Sequence, residues 1–408
     1  MGTLETPRLR PLSARAVTIG GVPCVRFEDS LGLAAPGTAV PSGFYQLLRR
    51  FDGRTSVEAI ARAHHAESGE IVRIDDLREA VRRLDEALIL DGPSFEALRR
   101  RYAAEPVRPA AHAGRSYPAD PHELSRLLDG YIGAGRPPGT IPGRPLRGIM
   151  SPHIDFARGG ATYGAAFAEL ADRPGPEFFV ILGVAHQYCG NRFALTRKHF
   201  STPLGTATTD RAYLDAIAEL AGPGLFDDEL AHRTEHSIEL EVAFLQRAMR
   251  GGPFTIVPIL VGSFRDLMRA GLEPIDDPSV RRMVEALRQV EARSGRRVCT
   301  IGGVDMSHVG PEFGDPGPAD DAMLDVVGRR DLAMLDRALV GDAAGWHAVA
   351  AEVDDRHRVC GLDAMYTMLH AIGPTRGRLL RYDQAVNPAR SCAVTFAGVA
   401  FDGHTDEH

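Results

Sequence analysis

Apolar and polar positions follow two different regimes along the chain. Over roughly the first hundred residues the pattern is mixed. Residues 17–27 alternate on either side of Gly20-Gly21 and predict two short strands. Residues 42–51 put Phe44, Leu47, Leu48 and Phe51 on one helical face, and Asp52-Gly53 marks a turn. Thr55-Ser-Val-Glu58 fits a capping box that opens a helix through Ile60 and Ala63. From Asp75 onward, Leu77, Val81, Leu84 and Leu88 recur at helical spacing, until Ile89-Leu-Asp-Gly92 closes that helix. Beyond residue 146 the regime changes. Buried-strand runs at 147–153, 178–186, 193–196, 254–262 and 298–303 alternate with amphipathic helical stretches. These helices pass through Tyr163 and Phe167, then cover 210–220, 235–249, 280–292 and 319–357, with a last one around Met365 and Met368. Two late runs, 378–382 and 391–401, complete the sheet. Such alternation predicts one large α/β domain over 146–402. A small α+β domain over 1–100 precedes it, and 101–145 is a Pro- and Ala-rich linker with a lead-in helix through Leu124, Leu127, Leu128 and Tyr131.

Composition narrows the partners. The 408 residues are 44% hydrophobic and 25% charged, as in ordinary globular proteins. A net charge of -7 argues against a nucleic-acid partner. The basic run Leu98-Arg-Arg-Arg-Tyr102 reads as a solvated helix end, and so does the His64-His65 pair. Five scattered cysteines without CxxC spacing suit a reducing compartment rather than a disulfide framework. No leader-like apolar segment and no membrane-length run is present, so the expected location is the cytoplasm, with no membrane partner.

The chemistry gathers where strand-like runs end. Three of them finish in polar residues: Ser151-Pro-His153, Gly183-Val-Ala-His186 and Asp305-Met-Ser-His308. Ligands of open α/β proteins bind beyond the carboxyl ends of the strands, so three histidines delivered there predict one site. Imidazole is the commonest metal ligand, and Cys360, at the start of a helix whose dipole favours a thiolate, is a soft fourth candidate.

The ordered set His112-Ala-Gly-Arg-Ser-Tyr117, Ser151-Pro-His153, Leu182-Gly-Val-Ala-His186, Glu235-His-Ser-Ile-Glu239, Val257-Pro-Ile-Leu-Val-Gly262, Asp305-Met-Ser-His308 and Val359-Cys-Gly361 closely resembles the Memo family. Its bacterial members are called AmmeMemoRadiSam system protein B. The resemblance covers about residues 111–401. It implies the LigB-like three-layer fold of class III extradiol dioxygenases, with a mainly buried sheet. It also implies His153, His186 and Cys360 as metal ligands, with His308 as acid/base rather than ligand, and His236 and Asp305 lining the pocket. The implied cofactor is a redox-active metal, iron(II) first and copper second, and the implied substrate is a small aromatic molecule or a peptide. Residues 17–92 resemble PqqD-like winged-helix domains, which hold peptides for modifying enzymes; the implied partner is a radical-SAM protein. A non-catalytic adaptor binding a peptide or protein is the alternative from another class.

Two features depart from the family pattern. Asp155 follows the first candidate ligand, where it can orient an imidazole or cap the next helix, and Gln187 follows His186. A competing motif, His232-Arg-Thr-Glu-His236, fits the H-x-x-E-H pattern of zinc peptidases, although a short pattern among 15 histidines is a cheap match.

Overall fold

The computed structural model describes residues 2–136, 146–171, 178–187 and 189–403. They form two compact units, Met1–Glu105 and Pro106–His408.

In the first unit, strands β1 (Ser13–Ile19), β2 (Val22–Glu28) and β3 (Ala39–Pro41) make an antiparallel sheet, turned at Gly20 and Gly21, both at positive φ. Helices α1 (Ser42–Leu48), α2 (Val57–Ser68), α3 (Ile74–Glu86) and α4 (Pro93–Ala104) follow. The apolar faces of α1, α2 and α3 meet in one core with Phe27, Leu48, Val57, Ile60, Val81 and Ile89. The expected capping box is displaced by one residue. Asp52 accepts from the backbone of Arg54 and Thr55 and from the Thr55 hydroxyl, which commits Thr55 to the turn. Ser56 therefore caps α2, accepting from Ala59 N at 3.2 Å. His64 is also not solvated as expected: it is buried, with Nε2 3.4 Å from Glu70.

The second unit begins with β4 (Val107–Arg108) and α5 (Pro121–Gly135). Residues read as linker thus divide, 101–104 ending α4 and 106–136 belonging to the second unit, while 137–145 lie outside the described residues. Gly160 and Gly164 let α5 approach closely, because a Cβ at Gly164 would lie 2.2 Å from Tyr131 O. Next come β5 (Leu146–Ser151), α6 (Phe156–Ala171), β6 (Phe178–Val184) and the short strands β7 (Phe193–Leu195), β8 (His199–Thr202) and β9 (Gly205–Thr209). Helices α7 (Arg211–Ala221) and α8 (Glu239–Ala248) precede β10 (Thr255–Val261). Then α9 (Arg265–Arg269) and α10 (Pro278–Ser294) lead to β11 (Val298–Gly303) and β12 (His308–Val309). The chain ends through α11 (Asp321–Leu339), α12 (Ala343–Ala351), α13 (Leu362–Ile372), β13 (Arg376–Val386) and β14 (Ala393–Asp402).

These strands build one 11-stranded mixed sheet, in which β5, β11, β6 and β10 are parallel neighbours and β14 closes antiparallel on β5. Helices cover both faces, as the alternation at the end of β11 shows. A Cβ on Gly302 would meet Met368 of α13, whereas one on Gly303 would lie 2.6 Å from Ser237 O and 3.0 Å from Glu241 of α8. Burial on both faces explains why the strands read as continuous apolar runs. One expected boundary moves: the helix placed at 235–249 starts only at Glu239, and residues 234–238 form a turn.

Candidate metal centre

Strand register assembles the site. Ser151 of β5 pairs with Gly303 of β11, and Gly302 pairs with Leu182 of β6. His153, His186 and Asp305 each stand two residues past the last residue of their strand, so adjacent parallel strands deliver them together. Cys360 arrives from the opposite direction, one residue before the N-cap of α13. Gly361 permits that approach: its N–H donates to Asp305 O at 3.0 Å, and a Cβ there would lie 2.4 Å from Val304 Cβ.

The donor atoms of His153, His186 and Cys360 lie within 4.8 Å of one another. This is about the span that one ion with bonds near 2.0–2.3 Å bridges with a small adjustment. His153 is buried, Cys360 partly buried and His186 exposed, so the site opens to solvent on the His186 side. Tautomers follow from the partners. His153 Nδ1 lies 2.8 Å from Gly303 O and must donate to it, leaving the Nε2 lone pair 3.3 Å from Cys360 Sγ. His186 Nδ1 lies 3.0 and 3.2 Å from the Glu235 carboxylate oxygens, which leaves its Nε2 free as well. Two imidazoles held at Nδ1 by acceptors and a neighbouring thiol suit a divalent or soft metal ion with open positions.

Electrostatics supports the same division of labour. Burial, with His186 and His236 nearby, holds the His153 pKa well below its ordinary value, so the ring is neutral. Burial opposes charge on His186 too, but the attraction and hydrogen bond of Glu235 outweigh it and raise its pKa. Glu235 is buried, yet its bonds to His186 and His236 keep it ionised. Burial and then Asp305 push the Cys360 thiol well up, so the thiolate expected from the helix dipole does not form without a positive charge beside it.

The remaining pocket residues surround this group. His236 stacks on His186 with ring centroids 4.7 Å apart and lies 5.2 Å from His153. Asp305 Oδ1 accepts from His153 N at 2.9 Å, and burial raises its pKa. His308 donates from Nδ1 to Met306 O and Arg358 O, both at 3.1 Å, which frees Nε2; burial lowers its pKa. Asp155 is a helix cap, accepting from Arg158 N at 3.1 Å. His232 sits in a 3-10 turn with Nε2 2.9 Å from Ala194 O and joins no three-donor group among the described residues.

One residue, read from the sequence only as part of the H-x-x-E-H and Glu-His-Ser motifs, holds the site together in another way. Glu235 accepts from His186 N, His236 N and Ser237 N at 2.8–3.0 Å besides the imidazole, so one carboxylate fixes two rings. A second donor group, His186 with Glu235 and His236, is equally compact, but the lone pairs of Glu235 are already committed. Its legible trace was the Glu-His-Ser motif itself.

Residues 108–400 match the family model for Memo-like protein. The chain is 24% identical over 381 residues to a MEMO1 family protein of Aquifex aeolicus, covering 92% of this chain and 95% of that one. Identity to a Thermus thermophilus MEMO1 family protein is 29%, over 81% of this chain and 94% of the relative. For a Thermococcus kodakarensis member it is 30%, over 72% and 99%. With these motifs in order and more than half its length matched, the chain belongs to the Memo family.

Proposed function

We propose that the chain holds one redox-active metal ion, iron(II) first and copper second, through His153 Nε2, His186 Nε2 and Cys360 Sγ. In this proposal the fold is LigB-like and the reaction dioxygenase-like, on a small aromatic or peptide substrate. The observation that carries this is the pair of imidazoles whose Nδ1 atoms are held by Gly303 O and Glu235, with His153 Nε2 3.3 Å from Cys360 Sγ and a ring nitrogen of His186 within 4.8 Å of both. When bound, the ion supplies redox and Lewis-acid chemistry at its open positions. The protein does the rest. Glu235 orients His186 and offsets positive charge, Asp305 anchors the His153 backbone, and His308 takes or gives a proton at Nε2. His236, on the open side, lines the substrate approach.

The first unit reads as a PqqD-like winged helix that presents a peptide, with a radical-SAM protein as partner. A non-catalytic adaptor is the second reading. The first unit gives that reading its weight, as a separate compact lobe on which a peptide or protein partner can dock. Oxygen uptake by iron-loaded protein with a catechol panel, compared with His308→Ala, separates the two. The enzyme reading predicts a loss of roughly 100-fold or more with metal retained. No uptake with any catechol, together with peptide binding unchanged in the variant, supports the adaptor.

A further inference from the structure

The loop that brings Cys360 to the site is also bolted to His308. Asp354, Asp355 and Arg358 all have positive φ, at 51°, 45° and 56°, so three non-glycine residues in five adopt a conformation that side chains with a Cβ disfavour. Such strain persists only where surrounding contacts impose it. Arg265 holds the carbonyls of Asp354 and Asp355, and the contacts at the Arg358 end converge on His308. Its backbone N–H donates to His357 O at 2.7 Å, and its ring Nδ1 donates to Arg358 O at 3.1 Å. In the other direction, Arg358 Nη1 donates to His308 O at 3.1 Å. Arg358 is in turn held by Asp315, with Nη2 2.9 Å from Oδ1 and Nη1 3.1 Å from Oδ2. Asp315 Oδ2 also accepts from Gly310 N at 2.8 Å, two residues beyond His308. Immediately downstream, Asp355 Oδ1 accepts from Val359 N at 2.9 Å, which fixes the turn into Cys360.

We propose that Asp315 and Arg358 are positioning residues that lock the His308 segment to the Cys360 loop, so that the sulfur ligand and the proton carrier keep one fixed separation. This rests on the metal reading above. A fork-shaped guanidinium suits the task, because it can grip a carboxylate with two parallel bonds and still reach a carbonyl. Cys360, in the loop before α13, and His308, in β12, are 52 positions apart in sequence, and this lock ties the two segments directly. Arg358 is about one-third exposed, so the lock works by geometry more than by buried charge.

Cobalt(II) titration of the full-length protein tests it, with thiolate-to-cobalt absorption reporting Cys360. Ring 15N NMR of the metal-free protein reports the His308 tautomer. Asp315→Asn should weaken cobalt binding about tenfold and shift the His308 ring signals while the melting temperature stays near wild type. Arg358→Lys, which keeps the charge but loses the fork, should fall between. In a double-mutant cycle, His308→Ala and Asp315→Asn should be non-additive in cobalt affinity, since each breaks the same connection. Wild-type cobalt affinity and unchanged His308 signals in Asp315→Asn would overturn the lock, as would strict additivity. Failure of the metal reading looks different: the thiolate band would then be absent from wild type or survive Cys360→Ser.

Discussion

Two imidazoles of the site have their Nδ1 protons committed, His153 to a backbone carbonyl and His186 to Glu235. The Glu235 carboxylate also accepts from three backbone N–H groups, so Glu235→Gln must turn an N–H toward at least one donor. Metal affinity should fall about 10- to 100-fold in that variant, measured by competition with a chelator of known affinity; an unchanged affinity removes Glu235 from the site. Gly361 makes a sharper test of shape, because the Cβ of Gly361→Ala would have to displace Val304 beneath the ligand loop. Loss of metal with secondary structure intact is expected. At this scale the grouping of His153 and His186 was legible, because strand ends announce themselves by a change from apolar to polar residues, whereas Cys360 stands before a helix and its place came from the family resemblance. Glu235 and Gly361 were not legible, since their roles depend on groups 49 positions away and on a close backbone approach that only the closed fold creates.

Among the elements, the turn carrying Glu235 is fixed from behind. Arg108 of β4 and Glu239 at the start of α8 form a fully buried ion pair; Arg108 also donates to the carbonyls of His232 and Glu235, and Tyr117 donates to Glu239. Removing one partner of a buried pair strands the other, at about 3–5 kcal/mol. Burial tends to raise the Glu239 pKa, but Arg108, Tyr117 and Ala111 N outweigh it and the pKa is lowered. A depressed folded pKa means that this stabilisation is present above the unfolded value of 4.5 and is lost as pH falls through the lower folded value. Urea unfolding across pH 3 to 7 should therefore show Glu239→Gln less stable at neutral pH and with a flatter acid slope than wild type. Equal slopes would mean that the pair does not set acid stability. The strands and most helices of this unit could be read from periodicity alone. The late start of α8 could not, because the Glu235 side chain folds back on the N–H groups of His236 and Ser237 and holds a turn where the apolar spacing continues a helix.

At the scale of the molecule, every proposed ligand and pocket residue lies in the second unit, Pro106–His408. Residues 108–400, which match the family model, fall within that unit. The fragment 106–408 should accordingly fold and bind metal as the full chain does, by thermal melting and elemental analysis; a fragment that melts cooperatively without metal would contradict this. Among the described residues no helix is long and apolar enough to cross a membrane. The change of hydrophobic regime near residue 146 does not coincide with the start of the second unit, which begins at Pro106. Segment 106–136 has a loop-like Pro and Ala content, and its membership of the second unit comes from Arg108, Tyr117 and Tyr131, whose partners lie far along the chain. All of the metal-binding expectations depend on one ion held by two histidines and a cysteine. Anaerobic purification with elemental analysis tests it most directly, on wild type and on His153→Ala, His186→Ala, Cys360→Ala and His232→Ala. Close to one ion per chain is expected in wild type and His232→Ala, and much less in each of the other three. Full occupancy in all three would contradict the site.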